Sequence, residues 1–192
     1  MAGYYRYTAV LDACVLYPAS LRDLLLTLSV DGVYGARWTD DIQNEWIRNL
    51  LINRPELSAA ALGRTAGLMN DAIDDARITN FEYLIDSLTL PDPDDRHVLA
   101  AAIVGHADAI VTFNLKDFPE PAMALHHLEA LHPDDFLVAQ YDLDPVSVLR
   151  AVKTCRLRMR KPPITAEEQI TALERQGLPQ ISKILRSAIS LL

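Results

Sequence analysis

Two short runs of the chain are apolar almost without interruption: "YTAVLDACVLYP", from Tyr7 to Pro18, and "ADAIVTF", from Ala107 to Phe113. Strands buried on both faces read this way, because neither side of the pleat meets water, and such strands belong to parallel sheets covered by helices. Around them lie stretches with apolar residues every three or four positions. "SLRDLLLTLSV" ends at Asp31-Gly32, and "DDIQNEWIRNLLINR" opens on Asp40 and Asp41 and stops at Pro55. Residues 56–76 carry a weaker helical pattern, and 94–106 form an alanine-rich helix. "GVYGARWT" and "ITNFEYLI" read as further strands and "HHLEAL" as a last short one. Alternating strands and helices predict an α/β fold, a three-layer α/β/α sandwich around a central parallel sheet.

Sites on such sheets form beyond the carboxyl ends of the strands, where loops lead into helices. The acids of this chain fall at those places. Asp12 ends the first strand, Glu45 lies about one turn into its helix, and Asp92, Asp94 and Asp95 precede the alanine-rich helix. Asn114 and Asp117 follow "AIVTF". Helix capping accounts for one or two of the Asp92–Asp95 group. It has no bearing on Asp12, whose place in an apolar run makes an unpaired carboxylate costly. Two carboxylates about 4 Å apart repel by about 4 kcal/mol at an effective dielectric near 20, and a divalent cation removes that conflict. Oxygen donors without His or Cys favour Mg²⁺ or Mn²⁺ over zinc, and metal centres of that kind suit phosphodiester hydrolysis.

The segments "VLDACVLYP" (Asp12), "TDDIQNEW" (Glu45), "DPDDRHVLAAA" (Asp95, with Asp94 and Asp92 beside it) and "AIVTFNLKDF" (Thr112, Asn114, Asp117) together resemble the PIN domain ribonucleases, and among them the VapC-like toxins of bacterial toxin–antitoxin systems. The resemblance spans about residues 8 to 118. It implies Mg²⁺- or Mn²⁺-dependent cleavage of RNA, with Asp12, Glu45, Asp95 and Asp117 as catalytic metal ligands and Asp94, Thr112 and Asn114 as supporting or substrate-contacting groups. It also implies a homodimer and an antitoxin partner with a DNA-binding part. Cys14 stands where many relatives have Ser or Asn, and Asn114 where many have Asp, which leaves one or two metals open. A catalytically inactive PIN fold serving as an RNA-binding or interaction scaffold is the alternative.

The net charge of −8 conceals an asymmetry. Residues 1–144 hold nine basic against 23 acidic side chains, and residues 145–192 hold nine against three. Arg150, Lys153, Arg156, Arg158, Arg160 and Lys161 follow one another without an intervening acid, which suits phosphate contact with RNA. Asp144-Pro145, Pro162-Pro163, the capping-box sequence "TAEE" and Gly177 with Pro179 divide the tail into helices. The expected organisation is a PIN-like nuclease domain over residues 1–142 and a helical C-terminal extension over 143–192. No apolar stretch has the length of a membrane span and "MAGYYRYTAV" lacks a secretory pattern, so a cytoplasmic protein without membrane association is expected. Cys14 and Cys155 have no disulfide or metal spacing, and Cys14 reads as packing. Trp38 and Trp46 read as core or dimer contacts, and the His126-His127 doublet as surface.

Overall fold

Four strands, β1 (Thr8–Leu11), β2 (Gly35–Arg37), β3 (Ala109–Val111) and β4 (Glu129–Leu131), form one sheet in the order β2-β1-β3-β4, with every pair parallel. The computed structural model describes residues 7–192, so the first six residues of the stretch read as lacking a secretory pattern lie outside it. Ala9, Val10 and Leu11 of β1 and all of β3 are buried, as the two apolar runs require. Val10 sits opposite Arg37 on one side and Ile110 on the other. The chain leaves β1 toward β2 and later fills the other side with β3, so the loops beyond these strands diverge and open a crevice.

The helices are α1 (Ala13–Leu16), α2 (Ala19–Val30), α3 (Asp40–Asn53), α4 (Ala59–Ala72), α5 (Glu82–Ile85), α6 (Arg96–Val104), α7 (Glu120–Ala124), α8 (Pro133–Leu143), α9 (Pro145–Arg158), α10 (Ala166–Arg175) and α11 (Pro179–Ser187). They complete a three-layer α/β/α sandwich: α6 packs on β1 and β3, α2 packs on β2, and α9 and α10 pack on α2. Trp38 and Trp46 are both fully buried in the core. Among the described residues no helix is long and apolar enough to cross a membrane.

Two expected strands are corrected. The first run does not stay extended to Pro18. The Asp12 N–H makes the last rung to Val111 O at 3.1 Å, while the Asp12 carbonyl accepts from Val15 and Leu16, so one residue ends the strand and starts α1. "ITNFEYLI" holds no strand: only Arg77 bridges to Trp38, after which Asn80 takes a φ of 62° and the chain turns into α5. Its apolar residues Ile78, Phe81 and Leu84 follow a three-residue spacing and pack against the core as a turn and a short helix.

The tail is helical, with the capping box present between Thr165 and Glu168. The expected division between 142 and 143 falls inside the last turn of α8, which ends at Leu143. Helix α8 packs on α9 and α11, and α10 on α11. Asp134 fixes this arrangement. Its carboxylate is 2% exposed and accepts the Gln180 and Ile181 N–H groups at 2.8 and 2.9 Å, the donors that the first turn of α11 leaves unpaired.

Candidate metal centre

Asp12 lies where the β1–β3 crevice opens and is 3% exposed. Its Oδ2 accepts the Thr112 hydroxyl at 2.6 Å and the Cys14 thiol at 3.0 Å. Thr112 Oγ1 in turn accepts the Asn114 N–H at 2.9 Å, and Cys14 Sγ accepts the Phe113 N–H at 3.2 Å. The turns after β1 and β3 are thereby tied through one carboxylate. Cys14, read from the sequence as packing, is corrected to a hydrogen-bonding member of this network. Burial, reinforced by the Asp12 charge, pushes its thiol well above the ordinary range, which keeps it a donor. Burial also raises the Asp12 carboxyl, and Glu45 adds to this while Thr112 and Cys14 draw it back.

Above this network three segments wall a pocket of about 610 Å³. Helix α3 supplies Asp41, Asn44, Glu45 and Arg48, whose spacing of three and four residues puts them on one face. The Thr39 hydroxyl fixes the start of that helix by accepting the Ile42 N–H. The three-ten turn Pro93–Asp95 and the start of α6 supply Asp92, Asp94, Asp95 and His97. The turn Leu115–Asp117 after β3 supplies Asn114 and Asp117. Glu45, Asp95, Asp117, Asp94 and Asn114 therefore meet as the sequence suggested, and Thr112 supports them from below through Asp12. Asp92 does what a cap does, accepting the Asp94 N–H at 2.9 Å.

The charges are coupled. Burial raises the Asp95 carboxyl to about 7, and Asp12, Asp92, Asp117 and Glu45 all push it in the same direction. The sequence reading missed Asp41, Asn44, Arg48 and His97. The first three were recoverable, since 41, 44, 45 and 48 are one stripe of a helix. His97 Nε2 lies 3.7 Å from Glu45 Oε2, and its buried Nδ1 has no partner among the described residues.

The basic segment stands apart, since none of its six residues lines the pocket. Arg150 pairs with Asp31 at 3.4 Å, Arg158 reaches Asp23 and Thr27 at 2.9 Å each, and Lys153 Nζ donates to Leu191 O at 3.2 Å. Arg156 is partly buried, and Arg160 and Lys161 are exposed.

The donors fit a hard divalent cation in kind: the carboxylates and Asn114 offer oxygen, and a cation would offset both the burial and the neighbouring charges that raise Asp95. They are not closed around one, since among the described residues no three His, Cys, Asp or Glu side chains are arranged to hold an ion.

A family model described as "PIN domain" matches residues 8–116, and one described as "VapC50 C-terminal domain" matches residues 133–187. Over 88 residues the chain is 42% identical to "Putative ribonuclease VapC50" of Mycobacterium tuberculosis. That match takes in 46% of this chain and 52% of the relative, so it spans about half the relative's length. No solved structure is matched. One model thus aligns with more than half of the residues and takes in β1, β2, β3 and the segments that carry Asp12, Glu45 and Asp95, so the chain belongs to the PIN domain family.

Proposed function

We propose that this chain is a metal-dependent endoribonuclease, the toxin of a bacterial toxin–antitoxin pair. The observation that carries the reading is the meeting of carboxylates from distant segments at one sheet edge, where burial, with the neighbouring acids adding to it, lifts Asp95 to about 7. Membership of the PIN family and likeness to a relative named a ribonuclease support it. Asp12, Glu45, Asp95 and Asp117 would hold Mg²⁺ or Mn²⁺, with Asp94 beside them. A bound cation would supply Lewis-acid stabilisation of the charge that builds on the phosphate.

The remaining work falls to the chain's own groups. Thr112 and Cys14 donate to Asp12 and fix its orientation. Asn114, whose N–H rests on Thr112, turns its amide toward the substrate or a water. Arg48 lines the pocket on the Glu45 face and has no ion-pair partner among the described residues, which leaves its guanidinium for a phosphate oxygen. The basic run, through Arg156, Arg160 and Lys161 more than through the internally engaged Arg150, Lys153 and Arg158, draws RNA toward an otherwise acidic body. A homodimer and an antitoxin with a DNA-binding part complete the reading.

The test is incubation of the purified chain with structured RNA in Mg²⁺ or Mn²⁺, then with chelator. Cleavage only in the presence of metal, and its loss in Asp12→Asn, are the expected results. Cleavage without metal, or at the wild-type rate in Asp12→Asn, removes the reading. The neutral Asn114, with no closed ligand set among the described residues, favours one alternative, a catalytically inactive PIN fold used as a scaffold. It predicts RNA binding without metal-dependent cleavage.

A further inference from the structure

The turn Leu115–Asp117 has two sides. Asn114 and Asp117 line the acidic pocket, while Leu115 and Phe118 line a second cavity of about 550 Å³. Its other walls are α7, through Ala124, and the outer edge of β4. This edge has one residue to offer. The Glu129 N–H bonds to Asp108 O at 3.1 Å, and Leu131 O accepts the Thr112 N–H at 3.0 Å, so both residues spend backbone groups on the β3 side. Ala130 lies between them, opposite Ile110. In a parallel ladder its N–H and C=O then point away from β3, and no described residue bonds either one.

A single donor and a single acceptor side by side match the hydrogen-bonding edge of a nucleobase. They do not suit a peptide strand, which pairs through alternate residues: β4 is three residues long and Pro133 begins the next helix. The walls agree with this choice. Leu115, 39% exposed, offers apolar surface to a flat ring with the buried Phe118 behind it, and the volume is that of an ordinary small-molecule site. The carboxylates of Glu120 and Glu129 also line the cavity, where they repel a phosphate but accept from an exocyclic amino group. Lys116, with its side chain 83% exposed, stands on the turn between the two pockets, where a sugar–phosphate passing from one to the other would run.

We infer that this cavity is a base subsite for RNA cleaved at the acidic pocket, taking adenine, cytosine or guanine in preference to uracil. The inference rests on the nuclease reading. The full chain is incubated with Mg²⁺ and a random-sequence single-stranded RNA, and the bases flanking each cut are determined for the wild type, Ala124→Trp and Glu129→Gln. Ala124 is exposed, so the tryptophan fills the cavity without entering the core. The expected result is discrimination against uracil at one flanking position by about tenfold or more, the ratio that one hydrogen bond to a charged acceptor provides. Ala124→Trp lowers it below about twofold, and the variant still cleaves when metal is added.

Metal-dependent cleavage with no base preference, or a preference unchanged in Ala124→Trp, overturns the inference and leaves the nuclease reading standing. So does a change in self-association in Ala124→Trp with the preference intact, because the edge would then serve a second copy of the chain. Absence of cleavage removes the nuclease reading. A titration in chelator with single-stranded tetranucleotides, read at the Ala130 backbone amide by NMR, then decides the cavity by itself: a shift with adenine-, cytosine- or guanine-bearing oligomers that exceeds the shift with uracil supports it, and an unmoved amide overturns it.

Discussion

Thr112 donates its hydroxyl hydrogen to the Asp12 carboxylate at 2.6 Å, joining residues 100 positions apart at the carboxyl ends of neighbouring strands. The same hydroxyl accepts the Asn114 N–H, so one side chain sets both a proposed ligand and the turn beyond β3. Thr112→Val keeps the shape and removes both bonds, leaving Asp12 with the weaker thiol donor. Mn²⁺ affinity, measured by calorimetry, is expected to fall about 10- to 100-fold, the usual cost of losing the partner of a metal ligand. Unchanged affinity would detach Thr112 from the centre.

Asp95 makes stability without metal depend on pH. Its folded carboxyl is raised from 3.8 to about 7, so between those values the folded chain binds a proton that the unfolded chain has released. Stability therefore falls as pH rises through this window and levels off above it. In chelator, the urea midpoint of the wild type should drop from pH 5 to pH 8 by more than that of Asp95→Asn. Mg²⁺ at pH 8 should restore the wild type more than the variant, since a ligand bound only by the folded state stabilises it. Equal pH profiles for the two proteins would show that burial and the neighbouring acids do not raise Asp95.

Arg48 and Arg158 should separate in their salt response. Arg48 faces the acidic pocket, whereas Arg158 is engaged by Asp23 and Thr27 on α2. In an Asp12→Asn background, expected to prevent cleavage, Arg48→Ala should reduce the slope of log affinity for RNA against log salt by about one. Arg158→Ala should leave the slope alone and cost less than about 1 kcal/mol of stability, as an exposed pair does. Fluorescence titration at several salt concentrations distinguishes them.

Asp134 tests how firmly the tail belongs to the body. Asp134→Ala leaves two N–H groups at the start of α11 without their acceptor, and about 3 kcal/mol should be lost in urea unfolding. Asp134→Asn, which keeps one acceptor oxygen, should recover part of it. A separate transition for the tail in either variant would show that the two regions unfold independently.

What the sequence made legible was the part governed by uninterrupted patterning. The runs around Val10 and Ile110 announced a parallel sheet, and Asp12 stood out because nothing in an apolar strand excuses a carboxylate. The turn at Asn80 was hidden because Ile78, Phe81 and Leu84 look alike in a strand and in a short helix, and the local backbone decides between them. The Cys14 contacts and the burial of Arg22, which donates to Leu16 O and lies 4.5 Å over Trp46, come from tertiary proximity that no spacing encodes. Half of the acidic pocket was visible as segment ends. The α3 stripe containing Arg48 required reading the same helix for its polar face as well as its apolar one.

Leu178, Ile181 and Leu185 are fully buried in the same core as Val10 and Trp46. A proteolytic cut in the turn before Pro179 would therefore loosen the interior that encloses β1 rather than shed an independent appendage.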